Sequence, residues 1–382
     1  MILDLDFTPE QDMLRDMVSG LCGELSPLER VRELEDDPDG IARDLWARFG
    51  ELGLCGLMVP ESAGGSGMSL IDGVVLYEEM GRSLAPLPHF VSCVMAAGAI
   101  TQAGSPAQQA GLLAGIASGD IIATVGWLEP GGGFKPRGVQ LTARSSGDGF
   151  VLDGAKIHVQ FAAAADLLVV LARTGNGNTD IDLFAVPSDA AGLSLEQRMS
   201  ISSDTQYLAT FDGVSVEADA RLGGPDTAPG AGWAAWDRAM HVGAILAAAQ
   251  AVGGASYALE ITVEYAKARH QFGKALAEFQ AISHYLADAR TTLDGARLLV
   301  CEAAWAHGTG RSVDRLAPMA KLFACRTYRD ITAMCQQVFG GIGFTLEYDI
   351  QLYFRRAKQL QLSWWDTTAC EDRIADAVLG AA

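Results

Sequence analysis

The chain has 382 residues, of which 49% are hydrophobic and 20% charged, and this balance is typical of a globular protein rather than a disordered one. Its formal net charge of −19 argues against binding to nucleic acid, which needs clustered Lys and Arg. No apolar run approaches the ~18–20 residues of a membrane span, and the first residues lack the basic and apolar regions of a signal peptide, so we expect a cytoplasmic protein without a membrane span.

The cysteines and histidines show no motif for metal binding or disulfide formation. The seven Cys include no CxxC pair, which predicts buried, reduced thiols. The six His are isolated and HExxH is absent, so we expect no metal site. GxGxxG, the P-loop motif and GxSxG are absent too, which argues against a Rossmann nucleotide site, a P-loop and an α/β-hydrolase nucleophile.

The first third of the chain contains three stretches that predict helices. TPEQDMLRDMVSGLCGEL begins at Thr8, which is placed as the N-cap, and Pro9 takes the first helical position. DLWARFGELGLCGLMVP and LIDGVVLYEEMGRSL carry apolar residues at helical spacing. The Gly/Ser-rich turn ESAGGSGMS separates these two helices.

The pattern changes after Asp120 to short runs such as DIIATVGWL, ADLLVVLAR and IDLFAVP, which predict strands. From Trp233 onward, long Ala-rich stretches with short connections predict close-packed helices. We therefore predict an α+β fold with an N-terminal helical domain, a middle antiparallel β-domain and a C-terminal four-helix bundle. The predicted boundaries are 1–120, 121–226 and 227–382.

Two segments of the helical C-terminal part have residues suited to binding a ligand. In ARHQFGKALAEFQAISHYLAD, Arg269 can pair with a pyrophosphate while Phe272 packs on an adenine; alternatively, Gly273 simply caps a helix. In QQVFGGIGFTLEYDIQLYFRRAK, Gln337 precedes a glycine-rich break where backbone can approach a ligand, or which is only an interhelical turn.

In this order and separation, the two segments resemble the acyl-CoA dehydrogenase family, and RHQFGK and QVFGGIGF are its most specific C-terminal motifs. LWARFGELGLCGLMVPESAGGSGMS and LDGAKIHVQFAAAADLLVVLAR are similar to its N-terminal signature and its β-domain hairpin. The resemblance implies a helix–β–helix subunit, FAD shared at a subunit interface, and α,β-dehydrogenation of an acyl-CoA thioester by means of a catalytic glutamate. It also implies residues that grip the pyrophosphate–adenine half of a neighbouring subunit's FAD: Arg269, Phe272, Gln337, Gly340 and Gly341.

The β-domain departs from the family pattern where a subunit contacts its own flavin. WLEPGGGF has Leu128 at the usual Thr position and Phe134 at the usual Ser position, and neither side chain can donate a hydrogen bond. The usual Trp–x–Thr of the hairpin is replaced by His–Val–Gln. The residues that remain as candidates for this subunit's own flavin side are Glu129, His158 and Gln160.

The catalytic base of the family is also absent from its expected positions. Trp364, in SWWD, stands where the family has its glutamate, and indole cannot accept the substrate proton. The alternative family position lies close to Gly243, and no carboxylate occurs between Asp237 and Glu260. Asp366, two residues beyond Trp364, is the remaining weak candidate.

Three functions therefore stay open at this point. The first is a non-catalytic subunit of a heteromeric FAD-dependent acyl-CoA dehydrogenase, as in the α2β2 assemblies of family members that handle steroid side-chain CoA thioesters. The second is an active homomeric dehydrogenase that uses Asp366 or a relocated base. The third is a scaffold or binding protein on this fold without FAD.

Overall fold

The computed structural model describes residues 5–224 and 227–380, with helices toward both ends and strands between them. A π-helical segment, Phe90–Ala96, leads directly into the fifth α-helix. The α-helices are α1 (Pro9–Leu25), α2 (Leu28–Glu33), α3 (Arg43–Glu51), α4 (Leu70–Ser83), α5 (Ala97–Ala103), α6 (Pro106–Ser118), α7 (Ala231–Ala268), α8 (Gln280–Gly308), α9 (Leu316–Phe339), α10 (Ile350–Leu362) and α11 (Thr367–Leu379).

The first helix begins as its sequence predicts. Thr8 Oγ1 accepts a hydrogen bond from the Gln11 N–H at 3.3 Å, and Gln11 Oε1 accepts one from the Thr8 N–H at 3.0 Å. This reciprocal capping box satisfies two backbone donors that a helix start otherwise leaves unpaired. The predicted N-cap at Thr8 is therefore confirmed.

The strands form one large sheet in the middle of the chain and one short hairpin between α7 and α8. The strands of the large sheet are hydrogen-bonded in the order β1-β4-β2-β3-β7-β6. Strand β5 lies outside this order and pairs with β4. The strands are β1 (Ala123–Gly126), β2 (Thr142–Ser146), β3 (Gly149–Gln160), β4 (Leu167–Arg173), β5 (Ile181–Pro187), β6 (Leu193–Arg198), β7 (Gln206–Glu217), β8 (His270–Gln271) and β9 (Lys274–Ala275).

Most pairings in the large sheet are antiparallel, but β4 runs parallel to both β1 and β2. Strand β1 enters directly from the helical N-terminal part, which allows the parallel pairing that hairpin turns alone cannot give. Apolar side chains on one face form a core that includes Leu152, Val170, Phe184 and Phe211. The α+β fold class with a middle β-domain is confirmed, and the sheet itself is mixed.

The described residues divide into two compact units. The first unit comprises the parts of Met1–Val31, Ser69–Ala85 and Ala244–Ala382 that the structure describes. The second comprises Arg32–Met68 and Pro86–Gly243, apart from the two undescribed residues at 225 and 226. Within the first unit, α9 packs against α8, α10 and α11, so the predicted C-terminal helical packing is present.

Small residues let α4 and α7 approach closely in the first unit. A Cβ added to Gly253 would stand 1.9 Å from the Glu78 carbonyl oxygen, and one added to Gly81 would stand 2.1 Å from the Gln250 carbonyl oxygen. Glycine on both helices therefore permits backbone-to-backbone contact that any side chain would prevent. The Ala-rich composition of α7 is explained by this close packing.

Helix α7 is also the one stretch within residues 5–224 and 227–380 that is long and apolar enough to cross a membrane by length and composition. Its most apolar 18-residue window has a mean hydropathy of 1.5, and 78% of that window is buried inside the protein. The expectation that no apolar run approaches membrane length was therefore wrong for α7. Burial on this scale is what a core helix shows.

All seven cysteines are buried and free, as their scattered positions predict. Burial raises the pKa of most of these thiols; the pKa of Cys22, for example, rises to about 11. No cluster of three or more His, Cys, Asp or Glu placed to hold a metal ion occurs in the described part of the chain.

Candidate functional site

The hairpin after α7 presents Phe272 to solvent. Strands β8 and β9 pair His270 with Ala275 and Gln271 with Lys274, leaving Phe272 and Gly273 as a two-residue turn. Both turn residues have positive φ, 53° and 84°, as a type I′ turn requires. Gly273 thus forms a hairpin turn instead of capping α7, and the Phe272 ring is 93% exposed.

Arg269 lies between the end of α7 and this hairpin. Its backbone N–H donates to the Tyr265 carbonyl at 2.8 Å, and its carbonyl accepts from the Leu276 N–H at 2.9 Å. Its side chain is exposed, and its guanidinium has no hydrogen-bond or ion-pair partner within residues 5–224 and 227–380. The backbone is therefore fixed while the five N–H donors of the guanidinium stay available.

The glycine-rich break directly follows α9. Gly340 has φ 70° and opens a short 3₁₀ helix, Gly340–Phe344. A Cβ added to Gly340 or Gly341 would meet no atom within 4 Å, and Gln337, one turn before, is exposed. The backbone at this break is open to a ligand.

Aromatic stacking connects the ends of α7 and α9, so the structure brings the two motifs together. The ring of Tyr265, one turn before Arg269, stacks on the ring of Phe339 with centroids 4.3 Å apart. Phe339 directly precedes Gly340 and also contacts the ring of Tyr348 at 5.8 Å. One edge of the first unit therefore carries the exposed Arg269, the exposed Gln337 and the open glycine backbone.

In the second unit, Glu129 is occupied by partners within its own domain. Its Oε1 lies 2.6 Å from Lys156 Nζ, and its Oε2 accepts from the N–H groups of Gln140 and Leu141 at 2.8 and 3.0 Å. Glu129 is 6% exposed and Lys156 is fully buried. This carboxylate ties strand β3 to the segment before β2, and both of its oxygens are hydrogen-bonded inside the domain.

Lys156 is a site residue that the sequence analysis missed. Burial lowers the pKa of its ammonium from the usual 10.5 to about 8, against the opposing attraction of Glu129. The signal in the sequence is the spacing of Lys156 from the core residue Leu152. An even spacing on strand β3 places both side chains on its inward face. A lysine on that face needs a buried counter-ion, and Glu129 is the carboxylate that supplies it.

His158 and Gln160 are also held by neighbours in the sheet. His158 sits in a bulge of β3 with φ 55°, and its Nδ1 lies 2.9 Å from Gln206 Oε1. Gln160 Nε2 donates to Asp204 Oδ2 at 3.0 Å, and Gln206 Nε2 donates to the same carboxylate. The side chains of His158 and Gln160, which stand in place of the family's Trp–x–Thr, therefore have hydrogen-bond partners inside the domain.

Phe134 belongs to an aromatic cluster in the same unit. Its ring centroid lies 5.5 Å from that of Trp127, and the Trp127 ring lies 5.5 Å from that of Trp236. Leu128, next to Trp127, bridges to Ile157 by backbone pairing. Both family donor positions are thus occupied by half-buried apolar side chains.

The two tryptophans of SWWD form the turn between α10 and α11. Both adopt the left-handed conformation, with φ 53° at Trp364 and 71° at Trp365, and both are buried, at 7% and 1% exposure. The Arg373 guanidinium lies over the Trp365 ring at 3.8 Å, and Lys321 Nζ donates to the Trp365 carbonyl at 3.3 Å. Left-handed backbone is unfavourable for such side chains, so the packing holds this turn in place.

Neither remaining position for a base offers a free carboxylate. Asp366 is the N-cap of α11, and its Oδ1 accepts from the Ala369 N–H at 2.8 Å. At Gly243, an added Cβ would stand 2.4 Å from Met95 Sδ, so a side chain there would require the Met95 side chain to move. Asp366 stabilises a helix start, and Gly243 permits close helix packing.

Comparisons with known proteins agree with the motifs. Family models described as the N-terminal, middle and C-terminal domains of acyl-CoA dehydrogenase match residues 8–120, 124–214 and 230–363. The probable acyl-CoA dehydrogenase YngJ of Bacillus subtilis is 32% identical over 370 residues, which cover 94% of this chain and 95% of that protein.

Two solved structures extend the likeness to the whole fold. The ChsE4-ChsE5 complex of Mycobacterium tuberculosis contains a chain with a TM-score of 0.89 and 26% identity, with 100% of both chains covered. A variant of the Tcur3481-Tcur3483 steroid ACAD contains a chain with a TM-score of 0.85 and 33% identity, with 97% of this chain and 98% of that chain covered. The chain therefore belongs to the acyl-CoA dehydrogenase family, whose members bind FAD.

Proposed function

We propose that this chain is a non-catalytic subunit of a heteromeric acyl-CoA dehydrogenase in the cytoplasm, and that it completes the FAD site of a catalytic partner. The observation that carries the proposal is an asymmetry between two sets of polar groups. Groups placed to serve a neighbour's cofactor are exposed and have no hydrogen-bond or ion-pair partner in the part of the chain that the structure describes. Groups placed to serve this chain's own cofactor are replaced or bonded internally.

The first set fits the pyrophosphate–adenine half of FAD. The exposed guanidinium of Arg269, which has no partner among the described residues, suits a pyrophosphate, because planar N–H pairs match phosphate oxygens. The open backbone at Gly340 and Gly341 allows close approach, and the exposed ring of Phe272 offers an aromatic face. FAD bound in the partner would accept the hydride from the partner's acyl-CoA substrate.

The second set does not fit the flavin half. Leu128 and Phe134 offer no donor, Glu129 is bonded to Lys156, and His158 is bonded to Gln206. A flavin placed against this face would face apolar groups and side chains whose hydrogen bonds are already made. We therefore assign no chemical step to this chain's own flavin side.

This chain also lacks a suitable base to remove the proton from an acyl-CoA substrate. Trp364 fills the position of the family glutamate with a buried indole, and Asp366 accepts a helix N–H. An indole cannot act as the base. We infer that SWWD closes this subunit's own active site.

The two solved structures described above favour a heteromeric assembly. Each is named as a pair of differently designated chains, ChsE4 with ChsE5 and Tcur3481 with Tcur3483, and the second is described as a steroid ACAD. By analogy, we propose an α2β2-like complex acting on an acyl-CoA thioester in lipid or steroid degradation.

The test is the FAD content of the chain purified alone and after co-expression with a candidate catalytic subunit. We expect no flavin absorbance from the chain alone, and flavin with dehydrogenase turnover from the complex. Replacing Arg269 by Ala should lower FAD retention by the complex, while the control Arg43→Ala, an exposed arginine paired with Asp39, should not. Bound FAD and turnover with the chain alone would overturn the proposal in favour of an active homomer that uses Asp366. No flavin in either preparation would favour a scaffold.

A further inference from the structure

A groove in the second unit lies among residues that neither the FAD contacts nor the SWWD turn use. Its volume is about 470 Å³, and its walls come from α6, the connection between β5 and β6, the end of β7 and the 3₁₀ turn Ala218–Ala220. This volume is in the range of binding clefts in proteins. The apolar part of its lining includes Leu112, Leu167, Pro187 and Val216, so the groove can bury apolar side chains of a ligand.

One wall of the groove is fixed by a side chain of α6. Gln108 Nε2 donates to the carbonyl oxygens of Asp219 and Arg221 at 2.6 and 2.8 Å, and Gln108 Oε1 accepts from the Gly223 N–H at 2.8 Å. These bonds hold the start of α6 against the segment that follows β7. A site that is formed before its ligand arrives loses less conformational entropy on binding.

The end of β7 presents an unpaired strand edge to the groove. Strand β6 pairs with β7 only as far as Phe211, so no described strand covers the rest of β7 on that side. A Cβ added to Gly149 would stand 2.2 Å from the Val216 carbonyl oxygen, so this oxygen points toward β3. Because backbone groups alternate in direction along a strand, those of Ser215 and Glu217 point the other way. Both residues are exposed, and their backbone groups have no backbone partner on that side in the described part of the chain.

Three carboxylates surround this edge without a cation. Asp189, Glu217 and Asp219 line the groove and are exposed, and no described Lys, Arg or His lines it with them. None of the three carboxylates has a hydrogen-bond or ion-pair partner among the described residues. They do not form a cluster that could hold one metal ion, so they suit separate cationic groups. Their negative potential favours a basic partner.

Acidic groups on an open strand edge also determine which partner can pair with it. A second copy of this chain that added its own β7 edge would bring Glu217 and Asp219 against like charges, which destabilises such a pairing. The whole chain carries a formal net charge of −19, so it repels its own copies and attracts a basic partner.

We propose that this groove binds an extended, basic segment of a partner protein, which adds a strand to the open edge of β7. The backbone groups of Ser215 and Glu217 hydrogen-bond to the added strand. Its Arg or Lys side chains pair with the three carboxylates, and its alternate apolar side chains enter the groove. The inference is independent of the proposed subunit role, because none of these residues belongs to the FAD contacts or to SWWD.

The test uses three synthetic seven-residue peptides with blocked ends. One alternates Val and Arg, one alternates Val and Glu, and the third is the Val/Arg peptide with N-methylated amides. Isothermal titration calorimetry on the full chain should show binding of the Val/Arg peptide, about tenfold or more weaker binding of its N-methylated form, which has lost its N–H donors, and no binding of the Val/Glu peptide. Equal binding of the N-methylated form, equal binding of the Val/Glu peptide, or no binding of the Val/Arg peptide would each overturn the proposal.

Variants place the binding in this groove. Removal of its three charges in Asp189→Asn/Glu217→Gln/Asp219→Asn should weaken binding of the Val/Arg peptide about tenfold or more, because three ion pairs are lost together. A second variant, Ala190→Arg, should abolish binding, because it fills the groove and adds a charge of the same sign as the peptide. Circular dichroism checks that each variant is folded.

The matched control removes the same number of charges elsewhere. Asp288→Asn/Glu371→Gln/Asp376→Asn changes exposed carboxylates on α8 and α11 and should weaken binding less than about twofold, since salt screens distant charges. Equal weakening by the two triple variants would mean that net charge alone attracts the peptide, and would contradict the assignment. Binding that survives both the groove triple variant and Ala190→Arg would contradict it as well.

Discussion

The edge around Arg269 in the first unit and the face around Glu129 in the second unit hold the residues that the family resemblance assigns to FAD. At the first, Arg269 and Gln337 are exposed and the glycine backbone is open. At the second, the polar side chains are hydrogen-bonded within the domain: Glu129 to Lys156, His158 to Gln206 and Gln160 to Asp204.

The difference shows that a matching residue type does not by itself leave a side chain free for a ligand. Glu129 matches the family's Glu-Pro pair in sequence, yet the structure gives its carboxylate three partners inside the sheet. A polar group is available to a ligand only where the protein has not already satisfied it. The comparison therefore predicts large stability effects at the second region and ligand effects without stability effects at the first.

The largest effect is expected at the buried ion pair of the second region. Lys156→Met should lower the free energy of unfolding by about 3–5 kcal/mol, because it leaves the Glu129 charge buried without its partner. Urea unfolding measures the change. The control is Arg144→Met, which removes an exposed ion pair with Asp153 and should cost less than about 1 kcal/mol. Recovery of stability in Lys156→Met/Glu129→Leu would show that the unpaired charge is the cause, whereas a loss below 1 kcal/mol in the single variant would contradict a structural role.

The helical parts and the strands were predictable because their periodicity and capping residues are local signals. Thr8 and Pro9 marked the start of α1, and short apolar runs marked β4 and β5. The parallel pairing of β1 with β4 was not predictable, since it joins strands about 40 residues apart that are separated in the chain by the β2–β3 hairpin, and no local signal specifies it.

The residue types of the candidate functional site could be predicted from the sequence, but the hydrogen bonds of their side chains could not. Arg269, Gln337 and Trp364 could be located by motif, but the hairpin turn at Phe272 was mistaken for a possible helix cap because Gly after an aromatic is compatible with both. Lys156 is 27 residues from Glu129, and Asp204 is 44 residues from Gln160, so only tertiary structure shows that these pairs are bonded.

The next effect tests whether SWWD alone prevents catalysis. Trp364→Glu should lower the free energy of unfolding by about 2–4 kcal/mol, because a buried indole is lost and a carboxylate enters a packed site. No FAD binding and no dehydrogenase activity should appear, since Leu128 and Phe134 still offer no donor. Flavin absorbance and an acyl-CoA turnover assay provide the measurements. Turnover restored by this single change would show that the second region is intact as a flavin site.

A smaller effect follows from the pKa of Lys156. Because the folded-state pKa is about 8 and the unfolded value is about 10.4, the unfolded chain binds more protons between these pH values. The free energy of unfolding should therefore rise with pH across that window, on the order of 2 kcal/mol. The measurement is the difference between the wild type and Lys156→Met in urea unfolding at pH 7.5 to 10.5, which cancels the titration of other groups. A flat difference would mean that burial does not penalise the Lys156 charge.

The smallest stability effect is expected at the first region, and it is the sharpest test of the comparison. Arg269→Ala and Gln337→Ala should each change the free energy of unfolding by less than about 0.5 kcal/mol, because both side chains are exposed and the Arg269 guanidinium forms no hydrogen bond or ion pair with a described residue. The same changes should weaken FAD retention by the complex with a catalytic partner about tenfold or more at Arg269, where a charge-assisted contact would be lost. Urea unfolding of the isolated chain and flavin content of the complex give the two readings. Destabilisation of the isolated chain by more than 1 kcal/mol in Arg269→Ala would mean that Arg269 serves this chain's own fold. Unchanged flavin content would mean that it does not hold FAD. In either case the contrast between the two regions would no longer separate ligand-binding groups from structural ones.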